Sequence, residues 1–207
     1  MMARERARAL RSAVLAAVSV LLAAAGPSLG ADPDWPCVQR FVPRVVAAAL
    51  WPGPPPEGEW RAAEGVAALV GRVSPRAVPE EEGVAAIESF TAPLDPASRR
   101  RLLPLAFAGV LEETNRQRDT LVEQIRRFAR RQRDLAEGVR RLESELRATP
   151  AEVEPAARTE LEQRHAFAAK SFTDAERTMR YACEAPVRLE GRLGAYARAL
   201  ISALPNE

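Results

Sequence analysis

The chain has 207 residues, of which 47% are apolar, 28% charged and only 5% aromatic. Of its 30 basic residues 29 are Arg, with Lys170 the exception, and Ala occurs 40 times. This composition excludes a collagen, a low-complexity tail and a disulfide-dense miniature scaffold, and predicts a helical protein with a modest core.

Residues 1–30 read as a secretory signal peptide. Arg4, Arg6, Arg8 and Arg11 supply a positive start, and residues 13–25 form an apolar run broken only by Ser19. Gly26 and Pro27 end that run, and Ser28 and Gly30 are the small residues expected before a cut after Gly30. The alternative is an uncleaved anchor, but the run spans only about 20 Å as a helix, short of a bilayer core of about 30 Å. Without residues 1–30 the net charge falls from +2 to −1. The expected address is therefore periplasmic or secreted, and the basic footprint that nucleic-acid binding requires is lost.

Cys37 and Cys183 are the two cysteines. Neither lies in a CxxC pair, a haem-attachment motif, a zinc-ligand cluster or a lipobox. An even pair in an oxidising compartment points to a disulfide, worth up to about 5 kcal/mol for so long a loop. Two free thiols or a bridge between chains are the alternatives.

Residues 31–94 form a Trp- and Pro-rich segment with short helices. Trp35 opens it, a short helix is expected after Pro43 with Val45, Val46 and Leu50 on one side, and the Pro-rich run between Trp51 and Trp60 is an extended turn. These three tryptophans serve either as a recognition strip or, the simpler reading, as anchors for a loose segment on a helical surface. A helix is predicted over 61–73 with Val66, Leu69, Val70 and Val73 as its apolar stripe. Another is predicted from Pro79, with Val84, Ile87 and Phe90 buried. Its first turn carries Glu80, Glu81 and Glu82, which suit a helix N-terminus better than a cation site, because adjacent helical residues diverge by about 100°.

Residues 95–207 carry the major element. Asp95-Pro96 is an N-cap followed by proline at the first helical position. From Phe107 the chain repeats in alternating steps of four and three: Leu111, Thr114, Arg118, Leu121, Ile125, Phe128, Gln132, Leu135, Val139, Leu142, Leu146. This is a heptad seam along a helix of about 60 Å. Thr149, Pro150 and Glu152 make a capping-box pattern, with Pro155 an alternative start for the second helix. A second seam follows through Leu161, His165, Ala168, Phe172, Ala175, Met179, Ala182, Pro186, Leu189, Leu193, Tyr196 and Leu200. Two seams joined by a short turn predict an all-α fold: a long antiparallel coiled-coil helical hairpin, kinked at Pro104 and Pro186, with short N-terminal helices packed on its stem. Residues 31–98 carry a net charge of −5 and residues 99–147 a net charge of +5, so the first is the natural cover for the second. Dimerisation is the competing way to bury the same flank.

The densest charge run holds Arg126, Arg127, Arg130, Arg131 and Arg133. Arg126, Arg130 and Arg133 share a face, a candidate surface for anionic lipid or polyanion. The simpler reading is a solvated helix face served by Glu–Arg pairs four apart at 112/116, 123/127, 137/141 and 143/147. His165 is the only histidine and sits on the seam without a catalytic or ligating partner, and Lys170 lies off it. No phosphate-binding glycine loop, GxSxG or HExxH occurs. The expectation is therefore no catalytic site, no metal and no cofactor. The expected activity is interaction or scaffolding, with another periplasmic protein or a second copy as partner, or a membrane surface that the mature chain does not span. An enzyme of unrecognised type is the remaining class.

Two stretches carry a resemblance. Asp34-Trp-Pro-Cys37-Val-Gln39-Arg-Phe-Val42-Pro43, followed by Leu50-Trp51-Pro-Gly-Pro, resembles the N-terminus of a family of uncharacterised secreted bacterial proteins, and the stretch from Tyr181 through Cys183, Glu184 and Pro186 to Arg198 resembles their C-terminal helix. The resemblance covers about a fifth of the chain. It implies a periplasmic, mostly helical protein with nothing catalytic, and both cysteines fall inside it.

Overall fold

Asp95 begins the larger half of the molecule as the sequence leads one to expect. Its carboxylate accepts from the backbone amides of Ala97 and Ser98 at 2.9 and 3.0 Å and from the Ser98 hydroxyl at 2.7 Å. Pro96 follows at the first helical position, where its missing N–H costs nothing. In the computed structural model, which describes Asp32 and residues 34–150 and 154–205, the elements in order are two 3₁₀ turns (Ala47–Ala49 and Trp60–Ala62) and four α-helices. The helices are α1 (Val66–Val73), α2 (Glu80–Thr91), α3 (Pro96–Ala148) and α4 (Pro155–Ser202). No strand occurs among the described residues. Asp34–Glu207 makes one compact unit, and the expected signal peptide, residues 1–30, lies outside the described residues.

α3 and α4 pack closely along one another with their sequences reversed. Leu102, Leu103, Phe107 and Val110 of α3 share a core with Leu193, Tyr196 and Leu200 of α4. Further along, Arg118 pairs with Glu190 at 2.7 Å, and Ile125 and Ala129 pack with Met179. Each helix runs on through its internal proline, Pro104 in α3 and Pro186 in α4. Every position of the second seam is buried or half-buried. The first seam holds until Phe128, which is 43% exposed while Ala129 is buried in its place. Ala129 belongs there to a cluster with Ile125 and Met179, against which Trp35 and Cys37 pack.

α1 and α2 cover the stem end of this pair. α1 buries the expected Val66, Leu69, Val70 and Val73. It starts at Val66 and not at Arg61, because Gly65 adopts φ +73° and interrupts the helix. α2 starts at Glu80, one residue later than expected, because Pro79 is extended and serves as N-cap. Its buried side is Gly83, Ala86, Ile87 and Thr91, with Val84 and Phe90 half-buried. The shift follows from Tyr196, whose ring lies directly over Gly83. The expected helix after Pro43 is only the turn Ala47–Ala49, and Val46 is exposed. Thr149 ends α3, and α4 begins with Glu154 as N-cap and Pro155 as first residue, so the Pro155 start holds. Glu152 of the capping-box pattern lies outside the described residues.

The Tyr196–Gly83 contact is testable. A Cβ at residue 83 would lie 1.9 Å from the Tyr196 hydroxyl oxygen. Gly83→Ala is therefore expected to lower unfolding stability by about 1–3 kcal/mol in urea titrations, although alanine favours helices.

Candidate functional site

An irregular strap, residues 34–45, lies along the α3–α4 pair and runs opposite to α3. Asp34 pairs with Arg130 at 2.8 Å and with Arg133. Phe41 sits under the Arg126 guanidinium, 4.9 Å from ring centroid to Cζ. The backbone oxygens of Val42 and Pro43 accept from Arg118 at 2.9 and 3.4 Å. Val45 exchanges two 3.0 Å hydrogen bonds with the Asn115 amide. The strap therefore reads α3 from residue 133 back to 115.

Two further ties hold the strap to α4. Cys37 and Cys183 form a disulfide with Cα atoms 5.6 Å apart, an ordinary separation for a bridge within one chain. The Gln39 side-chain amide donates to the Cys183 carbonyl at 2.5 Å. Pro186 has no N–H to offer the Ala182 carbonyl four residues back, and Gln39 binds the helix at the next carbonyl, that of Cys183. Trp35 completes the strap by donating to the Gln39 carbonyl at 2.8 Å, its ring 5.1 Å from Phe41.

The arginine face has a different organisation from the one its spacing suggests. Arg126, Arg130 and Arg133 do share a face, but it is engaged from within the chain. Arg130 and Arg133 hold Asp34, and Arg126 pairs with Glu123 at 3.0 Å besides lying over Phe41. The hydrogen bonds from Arg130 and Arg133 hold the Asp34 carboxyl below the usual aspartate range. Of the four expected Glu–Arg pairs, Glu143–Arg147 forms at 3.6 Å. Glu112 instead binds Arg61 at 2.7 Å and the Trp60 indole at 2.8 Å, which lowers its pKa, with Arg61 the larger cause. Arg116 turns to Glu113, and Glu123 to Arg126.

The other tryptophans are similarly engaged. Trp51 is buried, stacks on Phe107 at 4.9 Å and donates to the Pro54 carbonyl. Trp60 packs against Gly109, where any larger residue would meet its ring. Anchoring is the geometry all three display.

Sequence reasoning passed over two buried cations. Arg118 occupies a seam position and is 3% exposed, satisfied by Glu190 and two strap carbonyls. Arg192 is 8% exposed and donates to the carbonyls of Ser74, Pro75 and Val78, which fastens the α1–α2 connection to α4. For Arg118 the signal was available: a charge in a mostly apolar repeat, between Thr114 and Leu121, must find partners when buried. His165 is half-buried on the seam. No group of His, Cys, Asp and Glu suited to a metal occurs among the described residues, and none of their helices is long and apolar enough to cross a membrane.

Beyond the strap no other described segment packs along the two helices. From residue 130 to the end of α3 only Leu142 is buried, and α4 has no buried residue before Met179. The seam side chains Leu135, Val139, Leu146, Leu161, Ala168 and Phe172 are all half-buried, and Phe167 is 75% exposed. At the far end Glu145, Ala148, Leu161 and Arg164 border a shallow groove of about 550 Å³. No protein-family model matches the chain, and no curated protein or solved structure matches it.

Two outcomes follow for the strap. Replacing Cys37 and Cys183 with Ser opens a linkage across 146 residues and should lower unfolding stability by up to about 5 kcal/mol in urea titrations. Because the folded-state pKa of Asp34 is depressed, its contribution is present above the unfolded pKa and is lost as pH falls through the folded one. Hydrogen exchange at the Trp35 indole should therefore quicken in acid below the ordinary aspartate range, and Asp34→Asn should remove that pH dependence.

Proposed function

We propose that this is a periplasmic interaction or scaffolding protein whose α3–α4 pair forms an antiparallel coiled-coil hairpin presenting its distal half to a partner. One observation carries the reading: the seam continues for about 30 Å past residue 129 with its apolar side chains, Leu142 aside, only half covered. Two helices bury one stripe each and leave its flanks wet, whereas a third or fourth helix would complete the core. A short stem packed by α1 and α2 with an arm projecting beyond it suits a protein that holds something at a distance. The disulfide is compatible with an oxidising compartment, which supports export by the signal-like N-terminus.

Binding of lipid or polyanion through Arg126, Arg130 and Arg133 has less support, since Asp34 and Phe41 already occupy that face.

Site-specific photo-crosslinkers placed in cells test the reading. Positions Glu145 and Phe167 on the arm are expected to give discrete adducts, while Arg72 on α1 gives none. Adducts from Arg72 alone, or none from the arm, would count against an interaction arm. If the signal reading holds, the adduct-bearing chain begins at Ala31 by N-terminal sequencing.

A further inference from the structure

The outer face of α4, turned away from α3, carries apolar and charged groups that the single chain does not use. Three of the seven exposed large apolar side chains among the described residues, Val38, Tyr181 and Val187, lie around Cys183. The disulfide holds Val38 against one flank of α4, and there Val38, Met179, Cys183 and Val187 border a largely apolar groove of about 610 Å³. Tyr181, 70% exposed, sits about 160° around the helix from Cys183 and does not border that groove. Glu176, Arg180, Glu184 and Arg188 are all exposed on the same outer face. Glu184 pairs with Arg188 at 2.9 Å, whereas Glu176 and Arg180 enter no ion pair among the described residues.

These charges are arranged about one point. Arg180 and Glu184 stand two residues either side of Ala182, and Glu176 and Arg188 stand six either side. A second α4 laid antiparallel on this face, with a two-fold axis level with Ala182, brings each residue to the one equally far beyond the centre. Each Arg180 then meets the partner's Glu184, and each Glu176 meets the partner's Arg188. A parallel arrangement would set arginine on arginine and glutamate on glutamate. The Glu184–Arg188 pair within one chain is exposed, so exchanging it costs little. The next acids outward, Asp174 and Glu190, are already held by Lys170 and Arg118. The same axis carries Tyr181 to the level of Cys183 and across to the flank where the other chain's groove lies open beside Val38.

We propose that the outer face of α4 between Glu176 and Arg188 is an interface between two copies of this chain, with Tyr181 of each copy seated in the groove beside Val38 of the other. Self-complementarity selects the occupant. One axis relates opposite charges to one another and an exposed ring to an open apolar groove, and it covers Val38, Tyr181 and Val187 together. The disulfide contributes by fixing Val38 at the height where the second copy's Tyr181 arrives. This face lies on the side of α4 opposite the α3–α4 seam, so the pairing is independent of the interaction arm. Because the two α4 helices run antiparallel, the two arms leave in opposite directions.

The test is sedimentation equilibrium of the full mature chain over a concentration series. A reversible dimer is expected, weakened about tenfold or more by Tyr181→Ala and about tenfold by Arg180→Glu or Glu184→Arg alone, because each change acts twice across the axis. The two charge variants carry a further signature. Each repels its own kind, but an equimolar mixture of the two restores both contacts and is expected to dimerise, as is the double variant Arg180→Glu, Glu184→Arg. All three positions are exposed, and circular dichroism would verify that the variants fold. A chain that stays monomeric into the high micromolar range, a dimer that Tyr181→Ala leaves unchanged, or charge variants that fail to recombine on mixing would overturn the proposal. A dimer indifferent to every one of these changes would move self-association to another face. Arm adducts in cells are expected to persist in Tyr181→Ala, so either reading can fail without the other.

Discussion

Two helices lying side by side cannot bury their own apolar stripes, and much of this molecule answers that constraint. Each helix of such a pair hides the line facing its neighbour and leaves both flanks of that line accessible. At the stem the flank is closed by α1 and α2, and nearly all the large, fully buried side chains are there: Phe107, Leu103, Ile87, Tyr196 and Leu200. In the middle it is closed by the strap, an irregular segment that has no periodic face of its own. Past residue 134 nothing among the described residues closes it, and burial fades accordingly.

An irregular cover must satisfy its own backbone, and here side chains of the helices do so. Arg118 takes the Val42 and Pro43 carbonyls, Asn115 takes both polar groups of Val45, and Gln39 returns the favour to the Cys183 carbonyl. These part-buried polar contacts specify the strap's position residue by residue, which apolar packing alone would leave free to slide. The disulfide then limits how far the strap can drift if those bonds open. Arg192 performs a similar service for the α1–α2 connection, donating to the carbonyls of Ser74, Pro75 and Val78.

The helical architecture could be read from the chain because its signals are local and repeated. The N-cap at Asp95, the apolar stripe of α1 and the second seam each depend on neighbours three or four residues away, and each appears where periodicity places it. Departures came where a partner from elsewhere intervened. Trp35 and Cys37 cover a cluster that includes Ala129 while Phe128 is exposed, Tyr196 lies over Gly83 on the buried side of α2, and Glu112 pairs with Arg61 and Trp60 and not with Arg116. Gly65 was a different kind of omission: its left-handed backbone, which cuts the first predicted helix short, lies within a stretch whose composition favours helix.

Local pattern alone sets the helical class, the two long helices, the acidic cover for a basic one and the two cysteines able to join them. The assembled fold, and nothing local, pairs Asp34 with Arg130 and Arg133, places Arg118 in the interior and ends the described cover partway along α3. Periodicity is a property of one element and survives without knowledge of the others. Pairing between residues nearly a hundred positions apart is set by how the strap, the disulfide and the two helices come together in space, and no local pattern encodes it.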